Sequence, residues 1–237
     1  FYISHYGRHG SRWMPDAKRY TTLIEIFDSI KNVQPLTDKG EKVYALLQQA
    51  WDDARGREGS LSKLGAAQHR GIAKRMVERF PSVFSGNARV EARSSTVMRC
   101  AMSMAAFCDA LKESNPYLRI STESNERTME IINNVTPEAQ ANAKAPSWYA
   151  AYQDYCKKTI DGDRLCRSLF GDTGLRVSES NQACLTCRAG AGSAKPGLTA
   201  EEKATVLTEL YWYASDRQEV TTGADLYEFL TDEELYN

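Results

Sequence analysis

A histidine lies between two arginines near the start of the chain, in the segment YGRHGSR at residues 6–12. The guanidinium of an arginine is permanently charged and offers a planar fork that matches two phosphate oxygens. The imidazole of His9 can attack phosphorus as a neutral base and form a phosphohistidine that water then hydrolyses. Arg8 and Arg12 would stabilise the charge on the equatorial oxygens during that transfer. The segment thus favours phosphoryl chemistry, although a histidine between two arginines also occurs in ordinary surface turns.

His5 and His9 are four residues apart, a spacing that on a helix would place two metal ligands on one face. Gly7 and Gly10 flank His9, however, and residues 1–6 favour a strand, so a tight turn after a strand is the better prediction. Open α/β sheets bind ligands at the carboxyl ends of their strands, and glycines there let backbone amides approach a ligand closely. We therefore expect no helical metal pair at these two histidines, and we interpret His5 as a strand histidine.

Two further segments extend the pattern. Residues 61–69 read LSKLGAAQH and residues 93–99 read RSSTVMR. They resemble the L-T-x-L-G-x-x-Q-H and R-[SA]-x-x-x-x-R segments of the histidine acid phosphatases, and residues 8–12 resemble the R-H-G-x-R motif of the same family. The three segments follow the family's order and together cover about residues 1–115. The resemblance implies a phosphomonoester hydrolase without metal or organic cofactor, of a secreted, periplasmic or lysosomal type.

The resemblance also implies a role for each matching residue. His9 matches the nucleophile. The phosphate-binding arginines of the family match Arg8, Arg12 and Arg99. Arg93 matches the first arginine of the third segment and is expected to be either structural or in contact with the rest of the substrate, and Ser11 is a further candidate for such contact. His69 is expected to belong to a structural helix.

The chain departs from the family pattern in two ways. Trp13 and Met14 precede Pro15, which therefore comes one position later than the family's proline, so the loop after Arg12 and the substrate preference can differ. The family also has a distant second histidine, followed by Asp or Ala-Glu, that binds phosphate beside the acid that protonates the leaving alcohol. The chain has three histidines and none beyond His69. We interpret the sequence as an amino-terminal fragment rather than a degenerate relative, and expect it to be poorly active alone.

Hydrophobic spacing and capping residues predict the elements that position these residues. Helices are predicted over residues 17–32, after Thr37, after Ser62 and over residues 96–111, and strands over residues 1–6, 89–92 and 117–121. This order predicts an α/β fold with a largely parallel sheet, which the resemblance makes a three-layer, phosphoglycerate-mutase-like core. Residues 1–125 are predicted as the core, 126–217 as a mostly helical insertion or cap, and 218–237 as a return to the core.

Composition and charge narrow the class of protein. The chain of 237 residues is 42% hydrophobic and 26% charged, as in ordinary globular proteins. No apolar run approaches the roughly 18–20 residues of a membrane span. Residues 1–99 hold 17 Lys and Arg against 10 Asp and Glu, whereas residues 100–237 hold 13 against 21. A basic first part suits an anionic ligand, and no stripe of interleaved basic and aromatic residues indicates nucleic-acid binding.

Six cysteines are too few for a disulfide scaffold. Cys100 and Cys108 are predicted on a buried helix as free thiols. Cys184 and Cys187 form a lone C-x-x-C in a Gly/Ala/Ser-rich stretch, without the second pair that a zinc site needs. A loop disulfide or unremarkable thiols are the better interpretation there.

The leading interpretation is hydrolysis of a small-molecule phosphomonoester through a phosphohistidine on His9. The basic balance of residues 1–99 favours a multiply phosphorylated substrate, such as the inositol polyphosphate phytate. One alternative is a phosphoglycerate-mutase-like phosphotransferase, which the long helical region disfavours. Another is a relative that binds phosphate or inositol phosphate but lacks the second histidine and the acid needed for turnover.

Overall fold

The computed structural model describes residues 2–132, 137–144, 147–171, 198–220 and 226–236. Its helices are α1 (Lys18–Lys31), α2 (Asp38–Ala54), α3 (Lys63–Arg79), α4 (Met98–Ser114), α5 (Glu126–Ile132), α6 (Pro137–Lys144), α7 (Tyr149–Thr159), α8 (Asp163–Phe170), α9 (Ala200–Val220) and α10 (Asp232–Tyr236). A 3-10 turn covers Leu226–Phe229, and the strands are β1 (Arg89–Arg93) and β2 (Arg119–Glu123). The C-x-x-C pair of Cys184 and Cys187 lies outside the described residues.

The two strands pair in parallel, with Arg89 opposite Arg119 and Arg93 opposite Glu123. Helix α4 connects them, as a crossover between parallel strands requires. The predicted strands at residues 89–92 and 117–121 and their parallel arrangement are confirmed. The described chain is mostly helical with a small parallel sheet, which confirms the predicted α/β fold with a helical part.

The predicted strand at residues 1–6 is wrong for the residues that the structure describes. Residues 2–10 have no regular secondary structure. A strand is defined by backbone hydrogen bonds to a neighbour, and apolar, aromatic residues such as Tyr2 and Ile3 do not supply that neighbour. Ile3 nevertheless packs against a hydrophobic cluster, whose buried members are Ala73, Phe84, Ala110, Leu111 and Leu118.

One compact unit of the chain comprises Phe1–Pro15 and Arg57–Ala145. Helices α3 and α4 pack against each other in it, around the cluster just named. Helix α3 begins after Ser62, whose hydroxyl accepts a hydrogen bond from the amide of Gly65 at 3.0 Å. Every residue proposed above for phosphate chemistry belongs to this unit.

The other unit comprises Asp16–Gly56 and Pro146–Asn237, which assigns α1 and α2 to a different body from α3. The predicted domain bounds at residues 125 and 217 stay a prediction, and these units divide the chain elsewhere. Thr37 caps α2 as predicted, because its hydroxyl accepts from the amide of Gly40 at 3.0 Å. The core of this second unit includes Phe27, whose ring contacts that of Phe170 edge-on, with 4.9 Å between the ring centroids.

None of the helices in the described ranges is both long and apolar enough to cross a bilayer. Among the same residues no group of three or more His, Cys, Asp or Glu side chains is placed to hold a metal ion.

Candidate active site

The loop that carries His9 is fixed by backbone pairing with the segment before α3. The amide of Ser62 donates to the carbonyl of Ser11 at 2.9 Å, and Arg12 forms an antiparallel bridge with Leu61. Further along, the amide of Trp13 donates to Ser60 at 3.1 Å. The loop after the histidine is therefore held as a short two-stranded contact.

The residues that depart from the family pattern anchor this loop. Trp13 and Met14 are 5% and 7% exposed, so both side chains are buried. The guanidinium of Arg57 lies 4.2 Å from the centre of the Trp13 ring, in a cation–π contact. The amide of Gly59 donates to the carbonyl of Met14 at 2.9 Å. The extra residue before Pro15 thus belongs to a packed turn.

Gly10 is required where the loop crosses the start of α3. A Cβ atom at Gly10 would lie 2.4 Å from the carbonyl oxygen of Gly65, and one at Gly65 would lie 2.2 Å from the carbonyl oxygen of Ser11. No side-chain carbon can approach a backbone so closely, so both positions need glycine. The two backbones are therefore in direct contact beside His9.

The ring of His9 is oriented by its neighbour. Its Nδ1 atom lies 2.8 Å from the carbonyl oxygen of Gly10. Since a carbonyl oxygen only accepts hydrogen bonds, Nδ1 must carry the proton. In the neutral ring the Nε2 atom is then left with its lone pair, which is the form that a nucleophile needs.

Burial and neighbouring charges favour the neutral form of His9. Its pKa is lowered from the ordinary value of 6.5, first by partial burial and then by the positive charges of Arg99, Arg12 and Arg8, against an opposing hydrogen bond to Gly10. The structure therefore brings the three arginines named from the sequence into the electrostatic surroundings of His9. A positive field around a neutral imidazole suits attack on a phosphate anion.

The three arginines have different surroundings. The side chain of Arg8 is exposed, and its carbonyl accepts a hydrogen bond from Nε2 of His69 at 3.1 Å. Arg12 donates from Nη1 to the carbonyl of Trp13 at 2.9 Å. The Nε atom of Arg99 is buried and has no hydrogen-bond partner in the described part of the chain. A buried charged donor is costly without an acceptor, so a phosphate oxygen would satisfy it.

Two polar residues that were not predicted as site residues, Gln68 and Ser103, support the loop. Gln68 accepts from the amide of Ser11 through Oε1 and donates to its hydroxyl through Nε2, both at 2.9 Å. Ser103 accepts from the amide of Gly10 at 3.1 Å and is itself buried. Ser103 lies one helical turn after Arg99. This spacing of four residues places it on the same face of the predicted helix as Arg99, and that is the feature of the sequence from which it could have been found.

The two candidates for wider substrate contact are engaged by the protein. Arg93 donates to Glu123 at 3.1 Å and to Glu91 at 3.3 Å, so its guanidinium is shared between two carboxylates of the sheet. Arg93 is correspondingly the main cause of the lowered pKa of Glu123. The hydroxyl of Ser11 accepts from Gln68 and keeps its own proton for another acceptor. Their substrate contacts remain predictions.

The other histidines have identifiable positions. His69 is buried in α3, and burial lowers its pKa. Its hydrogen bond to the Arg8 carbonyl agrees with the structural role expected for it. His5 is exposed and stacks on Phe107, with ring centroids 5.4 Å apart.

The described cysteines are free thiols. Cys108 is buried on α4 and Cys100 is half-buried beside Arg99. Burial raises the pKa of the Cys166 thiol to about 12, so this thiol is unreactive at neutral pH.

No model of a protein family and no curated protein sequence matches the chain. Solved structures do match it in fold. The multiple inositol polyphosphate phosphatase of Bifidobacterium longum, in complex with inositol hexasulfate, superposes with a TM-score of 0.70 at 16% identity, covering 96% of this chain and 60% of that one. The phytase from D. castellii gives a TM-score of 0.57 at 14% identity, covering 96% and 46%.

The fold of this chain is therefore that of the histidine acid phosphatases, with a small parallel sheet and a helical part. The solved structures that it matches include an inositol polyphosphate phosphatase and a phytase. The chain spans 60% or less of the length of these enzymes.

Proposed function

We propose that the chain belongs to the histidine acid phosphatases and that His9 is the nucleophile in phosphomonoester hydrolysis. The observation that carries the proposal is the state of the His9 ring. Its proton is on Nδ1, bound to the carbonyl of Gly10, and burial together with the positive charges of Arg99, Arg12 and Arg8 lowers its pKa. The phosphatase fold supports the same conclusion.

The proposed first step forms an N–P bond and breaks a P–O bond. The lone pair of His9 Nε2 attacks phosphorus, and the electrons of the broken bond go to the oxygen of the leaving group. Arg8, Arg12 and Arg99 offset the charge on the three transferred oxygens. In the second step water attacks phosphorus, the N–P bond breaks, and inorganic phosphate leaves with His9 regenerated.

An alcohol leaving group needs a proton from a general acid, which contributes about 10²–10⁴-fold to such rates. The resemblance assigns this work to an acid beside a second histidine, and the sequence has no histidine after His69. An aryl phosphate such as p-nitrophenyl phosphate releases a stable phenolate and needs no such proton. It therefore tests the nucleophile separately from the acid.

We propose inositol polyphosphates as the substrate class. The names of the matching phosphatase and phytase support this, as does the excess of Lys and Arg over Asp and Glu in residues 1–99. A compartment outside the cytoplasm, as in the family, is part of the same proposal.

The test is a rapid-mixing experiment with p-nitrophenyl phosphate at pH 7. We expect a burst of one p-nitrophenolate per chain together with a phosphorylated peptide that contains His9. His9→Gln should abolish both signals, and His5→Gln should leave them unchanged because His5 is exposed, stacks on Phe107 and is not among the groups that shift the pKa of His9. A burst that survives in His9→Gln would refute the assignment of His9 as the nucleophile. Phosphate binding without any burst would favour a binding protein without turnover.

A further inference from the structure

Helix α4 carries a buried serine one turn beyond Arg99. Ser103 is 3% exposed, and its hydroxyl donates to the carbonyl of Arg99 at 2.8 Å. Because the single hydroxyl proton is used there, the oxygen can only accept from the amide of Gly10, at 3.1 Å. Ser103 therefore connects the phosphate-binding helix to the loop of the nucleophile.

The connection continues to the reacting ring. The carbonyl of Gly10 accepts the Nδ1 proton of His9 at 2.8 Å. Both polar backbone groups of Gly10 are thus used, one to hold the residue against α4 and the other to orient the imidazole. A glycine has no side chain to fix its peptide planes, so the hydrogen bond that Ser103 accepts from the Gly10 amide helps to fix the backbone that directs that carbonyl.

We propose that Ser103 is a positioning residue that keeps His9 in the tautomer with Nδ1 protonated and Nε2 free for attack. The proposal rests on the proposed function of His9 for its catalytic meaning, although the tautomer itself can be measured without turnover. Without the Ser103 hydroxyl, the Gly10 amide loses its partner and the loop gains freedom to rotate. The ring of His9 can then exchange Nδ1–H for Nε2–H, a form that has no lone pair directed at phosphorus.

A bond from a helical serine to the carbonyl four residues earlier is common and can be purely local. Ser114 makes such a bond on the same helix, to the carbonyl of Ala110 at 2.9 Å. What distinguishes Ser103 is the bond that it accepts from Gly10, 93 residues away in sequence. Ser114→Ala is therefore a matched control for Ser103→Ala.

The first measurement is the tautomer of His9 by ¹⁵N–¹H correlation of the imidazole rings. The chain has three histidines, so His9→Gln assigns the signal. We expect Nδ1–H in the wild type and in Ser114→Ala, and a mixture with Nε2–H in Ser103→Ala. The amide of Gly10 should also exchange with solvent faster in Ser103→Ala alone.

The second measurement is the burst with p-nitrophenyl phosphate. We expect a roughly three- to tenfold lower burst rate in Ser103→Ala, the effect of one lost hydrogen bond, with the half-saturating concentration changed by less than about twofold. Ser103→Thr keeps the hydroxyl and should restore the tautomer and most of the rate. A merely structural role would leave the tautomer unchanged.

The outcomes separate the two proposals. A pure Nδ1–H signal and a wild-type burst rate in folded Ser103→Ala would overturn the role of Ser103. No burst in the wild type would overturn the proposed function, while the tautomer would still decide about Ser103. If Ser103→Ala does not fold, exchange of the Gly10 amide in the wild type decides, and unprotected exchange would overturn the proposal.

Discussion

Replacing Gly10 with alanine would add a methyl group where the loop of His9 contacts the backbone of α3. The new Cβ would lie 2.4 Å from the carbonyl oxygen of Gly65, whereas real Cβ contacts are essentially never shorter than 3.0 Å. The loop and α3 must therefore move apart by more than about half an ångström. Such overpacking costs about 1–3 kcal/mol of unfolding free energy, which lowers Tm by about 2–12 °C.

The same movement displaces the carbonyl of Gly10, which orients the ring of His9. A misplacement of about 1 Å can cost a catalytic step about 10²-fold, so we expect a burst rate that is about 10–100-fold lower in Gly10→Ala. The assays are the p-nitrophenolate burst and a calorimetric Tm on the same preparations. The burst should decline more than the change in folded fraction explains.

Gly71→Ala is the matched control on helix α3. The nearest atom to a Cβ there is Nη1 of Arg75, the end of a flexible side chain, at 3.1 Å. Alanine in a helix is favoured over glycine by about 0.5–1 kcal/mol, so this variant should melt higher with an unchanged burst. A Gly10→Ala protein with wild-type Tm and burst rate would refute the close packing and the orientation of His9.

Three further predictions test the charges and one helix cap. Arg99→Lys keeps the charge but loses the planar fork, so calorimetry should show about 10–100-fold weaker binding of inorganic phosphate, whereas Arg89→Lys on β1 should bind as the wild type does. The lowered pKa of His9 predicts an NMR titration midpoint below 6.5 that rises when phosphate binds; a midpoint at or above 6.5 would contradict the field described here. Because the pKa of His9 is lower in the folded chain, the unfolded chain takes up a proton on this ring more readily. The free energy of unfolding should therefore decrease as pH falls from 6.5 towards the lowered pKa. Thr37→Ala removes the cap on the amide of Gly40 and should cost about 1–2 kcal/mol in urea denaturation; an unchanged midpoint would argue against the cap.

The sequence determined the local elements well. Thr37 was predicted to cap α2, and residues 60–62 were predicted to lead into α3. In both helices the hydroxyl of the N-cap residue accepts from the third following amide, an interaction within one turn. The segment RSSTVMR predicted a strand end that runs into a helix, and the structure has β1 ending at Arg93 and α4 beginning at Met98. Such signals depend on neighbours a few residues apart, which the sequence displays directly.

The sequence also predicted which arginines belong with His9. Arg8 and Arg12 are adjacent in the chain, but Arg99 is 90 residues away and was found only through a resemblance in residue pattern. The structure brings all three into the surroundings of His9, where they lower its pKa. Their binding of phosphate remains a prediction.

Tertiary structure alone decided how the site is held. Nothing in the sequence near Gly10 indicated that Ser103 would bind its amide, or that Gln68 would bind Ser11 twice. Nor did strand-forming residues at 2–6 create a strand, because pairing needs a partner that local preference cannot supply. Hydrogen bonds between distant residues exist only once packing has brought the groups together, and the orientation of the His9 ring depends on such a bond.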